Sequence, residues 1–406
     1  MALLPVAEAI ARIVAGVEPL PSETVPLLEA GGRTLAEPLI AARTQPPFPA
    51  SAMDGYAVRA ADVASAPATL KLIGESAAGK RFAGVLGAGQ AARIFTGAPV
   101  PEGADAILIQ ENAETPDPTT VIAKAPVNAG RHIRRAGFDF NEGERLLEAG
   151  RILSPREIAV AAAMGYGEVP VRRRPRVAVL STGDELVAPG VTPGPDQIVA
   201  SNGPAIAAFV TANGGKPHDL GIVRDDRAAI VTAIEAGLIA GGNIMVTIGG
   251  VSVGDRDLVG QSLAHSGLEM GFWRVAMRPG KPLMFGRLPQ PSGAPVRVLG
   301  LPGNPVSSMV CAIVFLAPLL AAYLGHPSVD PTEPAILAVD ITENDDRQDY
   351  IRASIAKTTG LPMVYPLPVQ DSSGLAVLAA ADCLLVRPPL APAAKAGDPC
   401  RIIRLR

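Results

Sequence analysis

Residues 244–257 read IMVTIGGVSVGDRD, a short apolar run followed by a glycine-rich loop with two carboxylates. The run 244–248 predicts a strand, and the glycines after it let the backbone turn sharply and approach a ligand. Consecutive N–H groups in such a turn form a concave anion site, and ligands usually bind at the carboxyl ends of strands in an α/β sheet. Asp255 and Asp257 add carboxylates that suggest a divalent cation. The stretch therefore predicts a phosphate-binding loop in an α/β domain.

The flanking sequence supports this prediction. Apolar strands are predicted at 177–180, 220–223 and 298–301, and helical patterns of about a dozen residues alternate with them. Strands that alternate with helices indicate a parallel or mostly parallel sheet.

The remainder of the chain predicts further domains. Short β segments fill the stretch after residue 46, and Ser154, Pro155 and Glu157 form a helix start with a capping box. The predicted fold is a multidomain α/β protein: a helical domain split by an inserted β domain, an α/β domain with helices on the sheet, and a terminal β-barrel or sandwich. The predicted boundaries are 1–45 with 139–174 (helical), 46–138 (inserted β), 175–326 (α/β) and 327–406 (terminal β).

Composition narrows the function classes. A net charge of -3, a pI near 5.9 and 4% aromatic residues argue against a nucleic-acid binder. The three cysteines are isolated, which favours a reducing cytosol over a disulfide framework or a zinc site. The N-terminus is typical of an amphipathic helix rather than a signal peptide. The apolar run 306–324 contains Pro318, so we expect a buried helix and no membrane span.

Because parallel strands share one direction, the loops after them should gather at one edge of the sheet. That edge would hold two glycine turns, a helix start near Asn304, and these charged residues: Asp184, Glu185, Asp225, Asp255, Asp257, Arg278 and Lys281. The pattern favours a phosphate-bearing substrate bridged by Mg²⁺. Each element also has a structural interpretation, since a Gly-Gly turn, an aspartate cap or a solvated lysine is common. Walker and GxGxxG motifs are absent, and the four histidines lie too far apart to form a metal site.

Six motifs identify a resemblance. They are PFPASAMDGYAV (47–58), IFTGAPVPEGADAI (94–107), STGDEL (181–186), TIGGVSVGDRD (247–257), RPGKPLMFG (278–286) and LPGNPVSS (301–308). In this order they resemble the molybdopterin molybdenumtransferase family, which includes the bacterial MoeA proteins and the E domain of gephyrin.

The resemblance implies a cytoplasmic transferase that inserts molybdate into adenylylated molybdopterin, with Mg²⁺-dependent release of AMP. It implies a homodimer of four-domain subunits with a MogA-like α/β domain and a C-terminal β-barrel, and the inserted β domain of one subunit facing the α/β domain of the other. Transient contacts with the preceding adenylyltransferase and with apo-molybdoenzymes would follow, and no nucleic acid or membrane would be bound. Whether molybdate or tungstate is preferred, and whether the chain is the main enzyme or a paralogue, stays open.

The resemblance also implies roles for individual residues. Those implied to be catalytic are Asp54, Thr96, Glu185, Asp225 and Asp257, of which Glu185 and Asp257 would contact Mg²⁺. Those implied to bind the pterin substrate are Gly249, Gly250, Ser252, Gly254, Asp255, Pro302, Gly303, Asn304, Pro305 and Ser307. Those implied to bind molybdate are Arg278, Lys281, Arg352 and Ser373. Asp139 matches a family aspartate usually preceded by glutamate, where this chain has Phe138.

Two other functions are alternatives to the transferase. An adenylyltransferase that acts one step earlier would share the α/β domain but lack the flanking domains. A non-enzymatic scaffold, a role that gephyrin also has, goes with an additional N-terminal domain and linker.

Overall fold

The computed structural model describes residues 3–250, 258–290, 293–327 and 329–405. The chain folds into two compact units, one formed by residues 1–23 with 171–406 and the other by residues 24–170. The finer division into four domains stays a prediction.

The larger unit contains a six-stranded sheet. In spatial order its strands are Lys216–Val223, Arg176–Thr182, Ile244–Ile248, Val296–Leu301, Met284–Leu288 and Glu269–Trp273. The first four are parallel, and the last two join antiparallel. The predicted mostly parallel sheet is therefore confirmed. Met284–Leu288, which is antiparallel to both of its neighbours, and the edge strand Glu269–Trp273 were not predicted.

Helices cover both faces of this sheet. The helices Asn202–Ala212 and Pro305–Cys311 pack on one face, and Arg227–Ile239 and Leu258–His265 pack on the other. All five residues of Ile244–Ile248 are buried, as expected for a parallel strand covered on both faces. This double cover explains why the strand reads as a continuous apolar run.

The last helix of this domain is the most apolar segment of the chain. A π-helical turn, Ala312–Leu316, joins the helix Pro305–Cys311 to the helix Ala317–Leu324. The combined stretch Pro305–Leu324 is long and apolar enough to cross a membrane, but 67% of its most apolar window is buried inside the structure. This burial agrees with the prediction of a buried helix.

The C-terminal part of the larger unit is a closed five-stranded barrel. Around the barrel its strands are Gln348–Ala356, Met363–Pro366, Thr332–Leu337, Pro399–Arg404 and Cys383–Arg387, and the last strand pairs again with the first. A two-residue strand, Met277–Arg278, extends from the α/β part and pairs with the start of Gln348–Ala356. The remaining elements of this unit are Val6–Val14, Leu186–Val187, Ile198–Val199 and Leu375–Ala380.

The smaller unit is built mainly of β structure. In spatial order its six-stranded sheet consists of Ala106–Ile109, Gly55–Val58, Gln90–Ile94, Ala68–Ser76, Thr120–Ala123 and Ala113–Asp117. Two short pairs add Ala50–Ser51 with Ile133–Arg134 and Leu39–Ile40 with Arg145–Leu147. Its α-helix, Pro155–Met164, begins at the predicted capping box of Ser154 and Glu157 and ends at Gly165. Strands Ser22–Pro26 and Glu168–Arg172 lie where the chain passes between the units.

Candidate functional site

A cavity of about 600 Å³ opens at the carboxyl ends of the parallel strands. We call it the glycine-turn cavity. Its lining is Ser181, Thr182, Gly183, Glu185, Leu186, Ile198, Val199, Ala200, Ser201, Asn202, Asp225, Ile248, Gly249, Gly250, Pro282, Pro302, Gly303, Asn304 and Pro305. Its place agrees with the general location of ligand sites in open α/β sheets.

The turn after Ile244–Ile248 requires glycine. Gly249 and Gly250 have φ values of +87° and +64°, in the left-handed region. A Cβ on Gly249 would lie 2.7 Å from the Thr182 carbonyl oxygen, and one on Gly250 would lie 2.3 Å from Val259 Cγ2. The two glycines therefore let the backbone itself form the cavity wall.

Three carboxylates lie in or beside one wall of this cavity, those of Asp184, Glu185 and Asp225. The Asp225 backbone N–H donates to Asp184 Oδ1 at 3.3 Å, and both Glu185 and Asp225 line the cavity. Burial, followed by the negative charges of Asp184 and Glu185, raises the pKa of Asp225. Asp226 instead accepts from Ala229 N at 2.9 Å and caps the helix Arg227–Ile239.

These carboxylates fit part of a divalent-cation site. Their mutual repulsion is what a bound cation would relieve. Within the ranges that the structure describes, no three His, Cys, Asp or Glu side chains are grouped closely enough to hold a metal. Glu185 and Asp225 thus offer two ligands, and Asp257, the other predicted metal ligand, lies outside the described residues.

Another wall of the cavity is the start of the helix Pro305–Cys311. Asn202 Nδ2 donates to the Gly303 carbonyl at 2.7 Å, which fixes the turn that leads into the helix. The N-terminal end of a helix favours negative charge. Of the predicted substrate-binding residues here, Ser307 differs: it is buried and is not among the described lining residues.

A second cavity of about 250 Å³ lies where the α/β part meets the barrel. We call it the arginine cavity. Its lining is Arg278, Pro279, Ile341, Thr342, Glu343, Asn344, Asp349, Tyr350, Ile351, Arg352, Gln370 and Arg387. We expected Arg278 among the acids at the strand ends; the structure places it in this second cavity, because Met277–Arg278 pairs with the barrel strand.

The guanidinium of Arg278 is held by acceptors from the barrel. Nη2 donates to Asp349 Oδ2, and Nη1 donates to Asp345 Oδ2 at 3.1 Å. Asn344 Oδ1 lies 3.4 Å from Nη2. Bonds from Arg347 hold the pKa of Asp345 at about 2, so this carboxylate stays ionised at neutral pH.

Arg352 is the largest fully buried side chain of the described chain, 1% exposed. Its Nη2 donates to the Asp371 carbonyl at 3.1 Å, while its Nε–H has no partner among the described residues. Burial lowers the pKa of Arg352. A buried guanidinium with an unused donor in a cavity wall is suited to bind an anion.

Two short segments join the cavities. Pro279 lines the arginine cavity and Pro282 lines the glycine-turn cavity, so the exposed Lys281 belongs to a loop that borders both. Asn304 Nδ2 also donates to Ser372 Oγ at 2.9 Å. The two cavities are therefore neighbours across the loop 278–282.

The Ser373 turn lies beside the buried arginine. The amide and hydroxyl of Ser373 both donate to Asp371 Oδ1, and these bonds lower the pKa of Asp371. The Asp371 carbonyl accepts from Arg352. Lys281 and Ser373 border this region without being among the described lining of the arginine cavity.

In the smaller unit, two hydrogen bonds join Asp54 to Thr96, which lies 42 residues later in the chain. Asp54 Oδ1 accepts from Thr96 N at 2.7 Å and from Thr96 Oγ1 at 2.8 Å. The Thr96 bonds, with a smaller contribution from Arg93, lower the pKa of Asp54. Asp139 lines a separate cavity with Arg151 and Arg156.

The structure thus brings most predicted site residues into three groups. Ser252, Gly254, Asp255 and Asp257 lie outside the described residues. Sequence reasoning missed Asn202, Asn344 and Asp349. None of these had a local sequence signal, because their roles depend on contacts with residues far away in the chain.

Comparison with known proteins identifies the family. The MoeA N-terminal region (domain I and II) matches residues 4–165, the probable molybdopterin binding domain matches 178–322, and the MoeA C-terminal region (domain IV) matches 334–405. A molybdopterin molybdenumtransferase from Nostoc sp. is 39% identical over 376 residues, covering 90% of this chain and 85% of its own length. The chain belongs to the molybdopterin molybdenumtransferase (MoeA) family.

Other relatives agree. Molybdopterin molybdenumtransferase 2 of Mycobacterium tuberculosis is 36% identical, with 89% of this chain and 90% of the relative covered. A crystal structure of the molybdopterin biosynthesis MoeA protein from Pyrococcus horikoshii superposes with a TM-score of 0.82 at 27% identity and 99% coverage of each chain. As a MoeA-family member, the chain is a transferase of molybdenum cofactor biosynthesis, and the predicted fold class is confirmed.

Proposed function

We propose that this chain inserts molybdate into the dithiolene of adenylylated molybdopterin and releases AMP in a Mg²⁺-dependent reaction. The observation that carries the proposal is the adjacency of two unlike cavities across the loop 278–282. One is lined by glycine turns, a helix start and carboxylates, and the other is lined by three arginines with the carboxylates of Glu343 and Asp349.

The glycine-turn cavity would hold the pterin substrate. Backbone N–H groups around Gly249, Gly250 and Gly303 would face its phosphate, and the positive end of the helix that begins at Pro305 would add to the attraction. In this proposal Ser252, Gly254 and Asp255 extend the same loop around the phosphate. Pro302 and Asn304 shape the opposite wall.

The arginine cavity would hold the oxyanion. Arg278 and Arg352 supply planar donors that match a tetrahedral oxyanion, Lys281 supplies a mobile point charge, and Ser373 supplies a hydroxyl. The loop that contains Lys281 would then bring the oxyanion to the dithiolene end of the pterin. Holding two reactants in neighbouring sites is by itself a large source of rate acceleration.

Cleavage of the phosphoanhydride would take place beside the carboxylates of the glycine-turn cavity. Glu185, Asp225 and Asp257 would hold Mg²⁺, with Glu185 and Asp257 as its main contacts, and the ion would neutralise charge that develops on phosphate oxygens. Asp54 or Glu185 would orient the attacking water or molybdate oxygen. Thr96 would keep the Asp54 carboxylate ionised and oriented through its two hydrogen bonds.

We further propose that the active form is a cytoplasmic homodimer, in which the Asp54–Thr96 pair of one subunit completes the site of the other. The adenylyltransferase of the preceding step and apo-molybdoenzymes would be transient partners. A mixed dimer tests the completion directly. Subunits carrying Asp54→Asn, mixed with subunits carrying Glu185→Gln, should regain activity in the heterodimer if each subunit contributes to the other's site.

The function itself is tested with purified protein, adenylylated molybdopterin and either molybdate or tungstate. We expect oxyanion-dependent AMP release that stops on removal of Mg²⁺, together with activation of an apo-molybdoenzyme. An adenylyltransferase would instead consume ATP and form the adenylylated pterin. A protein that neither releases AMP nor activates the apo-enzyme under these conditions would contradict the proposal.

A further inference from the structure

We propose that Asp349 is a positioning residue that holds the Arg278 guanidinium in the orientation that receives the oxyanion. The inference rests on the proposed function, in which Arg278 contacts molybdate. It concerns a side chain that would act only through Arg278.

The backbone places the two residues opposite each other. Met277–Arg278 and Gln348–Asp349 are paired parallel strands, and Arg278 is directly opposite Asp349 in their register. The Asp349 carboxylate then accepts from Arg278 Nη2. The strand pair therefore joins the α/β part to the barrel at the residue that would bind the oxyanion.

The two partners differ in burial. The Asp349 side chain is 8% exposed, whereas the Arg278 side chain is 48% exposed. A buried carboxylate cannot swing away from its partner without losing its compensating charge. Asp349 is therefore the more constrained end of this pair, and it anchors the more exposed arginine.

The anchoring leaves part of the guanidinium free for a ligand. Arg278 uses Nη1 and Nη2 for its barrel acceptors, while its Nε–H has no acceptor among the described residues. A guanidinium has five N–H donors in a rigid fork. Fixing one edge of the fork at Asp349 therefore orients the remaining donors, which preorganises them for an oxyanion.

A second carboxylate contacts Arg278 but is a weaker anchor. The Asp345 side chain is 40% exposed and also pairs with Arg347. Exposed ion pairs contribute little because water and salt screen them. Loss of Asp345 should therefore disturb Arg278 less than loss of Asp349.

The test is the molybdate dependence of AMP release in the full-length protein. Asp349→Asn should raise the molybdate concentration for half-maximal rate by about tenfold, with the maximal rate and the KM for the pterin substrate changed less than about twofold. Asp345→Asn should give a smaller rise. Asp340→Asn, which removes a surface carboxylate paired with Lys395 on the same barrel, should give none.

A double-mutant cycle separates positioning from a structural role. If Asp349 acts through Arg278, Asp349→Asn should have no further effect in an Arg278→Gln background. Asp349→Glu, which keeps the charge, should recover part of the loss. Thermal melting of each variant shows whether the fold is retained.

The outcomes keep this inference apart from the proposed function. If Arg278→Gln leaves the molybdate dependence unchanged, the assignment of Arg278 to molybdate is overturned. If Arg278→Gln raises the molybdate concentration for half-maximal rate but Asp349→Asn does not, only the positioning role of Asp349 is overturned. That role would also be overturned if Asp349→Asn lowers the molybdate concentration for half-maximal rate. The same holds if Asp349→Asn has an equal effect with Arg278 present and with Arg278→Gln.

Discussion

The two neighbouring cavities of the larger unit differ in the chemical groups that line them. The glycine-turn cavity is lined by glycine turns, a helix start and carboxylates at the ends of parallel strands, with no Arg or Lys in its described lining. The arginine cavity is lined by three arginines, from the α/β part and the barrel, together with two carboxylates. The loop 278–282 contributes lining residues to both cavities.

Under the proposed function, this difference would let one chain bind two anionic reactants at separate sites. Backbone amides and a helix end attract a phosphate with no net charge of their own, so carboxylates can stand beside them for a cation. Full positive charges would compete with that cation, and here they lie on the other side of a loop. If this separation is correct, variants in each cavity should affect different reactants.

The largest effect is expected from Arg352→Met. The loss of a charge-assisted contact to an oxyanion corresponds to about 1.5–3 kcal/mol, so the molybdate requirement should rise by about 10- to 150-fold. The KM for the pterin substrate should stay within about twofold. Steady-state AMP release measures both parameters.

Arg401→Met is a matched control for this variant, because Arg401 is a barrel guanidinium paired with Asp330 at the surface. It should change neither parameter. An equal rise of both parameters in Arg352→Met would show that the cavities do not act separately.

The reverse pattern is expected for Gly250→Ala. The new Cβ would lie 2.3 Å from Val259 Cγ2, so the turn must shift. We expect about a tenfold weaker affinity for the pterin substrate, since displaced groups at a binding site cost at least this much. The molybdate requirement should be unchanged, as measured by equilibrium binding and AMP release.

Gly190→Ala separates backbone strain from the clash. Gly190 has a φ of +88°, and its added Cβ meets nothing within 4 Å. It should lower stability slightly while leaving pterin binding intact. A weakened molybdate response with normal pterin binding in Gly250→Ala would contradict the assignment of the cavities.

A smaller effect is expected on the pH dependence of AMP release, through the carboxylates of the glycine-turn cavity. The pKa of Asp225 is raised by burial and by the charges of Asp184 and Glu185. If the ionised carboxylate is needed, AMP release should fall as the pH drops through this raised pKa. Asp184→Asn removes one negative neighbour, lowers the pKa of Asp225, and should move the acid limb to lower pH.

The control for this profile is Asp219→Asn, an exposed aspartate whose Oδ1 accepts from Gly221 N. It should leave the acid limb in place. If the acid limb of the profile moves to higher pH in Asp184→Asn, then Asp184 does not raise the pKa of the essential carboxylate, and the assignment is contradicted.

The smallest effect is expected from Ser373→Ala. The Ser373 amide still donates to Asp371 after the hydroxyl is removed, so the turn should persist. A single lost hydroxyl contact predicts about a threefold rise in the molybdate requirement. Ser372→Ala, which removes the acceptor of Asn304, should instead affect the pterin substrate.

Much of the architecture could be predicted from local sequence. The strand Ile244–Ile248, the capping box at Ser154 and the stop at Gly165 follow from apolar periodicity and cap chemistry. The strands Met284–Leu288 and Glu269–Trp273 were missed, because their direction is decided by pairing within the sheet.

The candidate site likewise has one part that could be predicted from local sequence and one part that could not. Gly249, Gly250 and the turn before Pro305 have local signatures that predict a binding loop. The pairing of Arg278 with Asp349 joins residues far apart in the chain, and no local pattern encodes it. The division of charges into two cavities could therefore be recognised only from the tertiary structure.

The most direct test of the separation is the position of the bound oxyanion. Anomalous diffraction from crystals soaked with tungstate or molybdate would locate the metal. We predict a peak in the arginine cavity, within contact distance of Arg278 and Arg352, which is lost in Arg352→Met. A peak among Glu185, Asp225 and the glycine turns, or one that persists in Arg352→Met, would contradict this prediction.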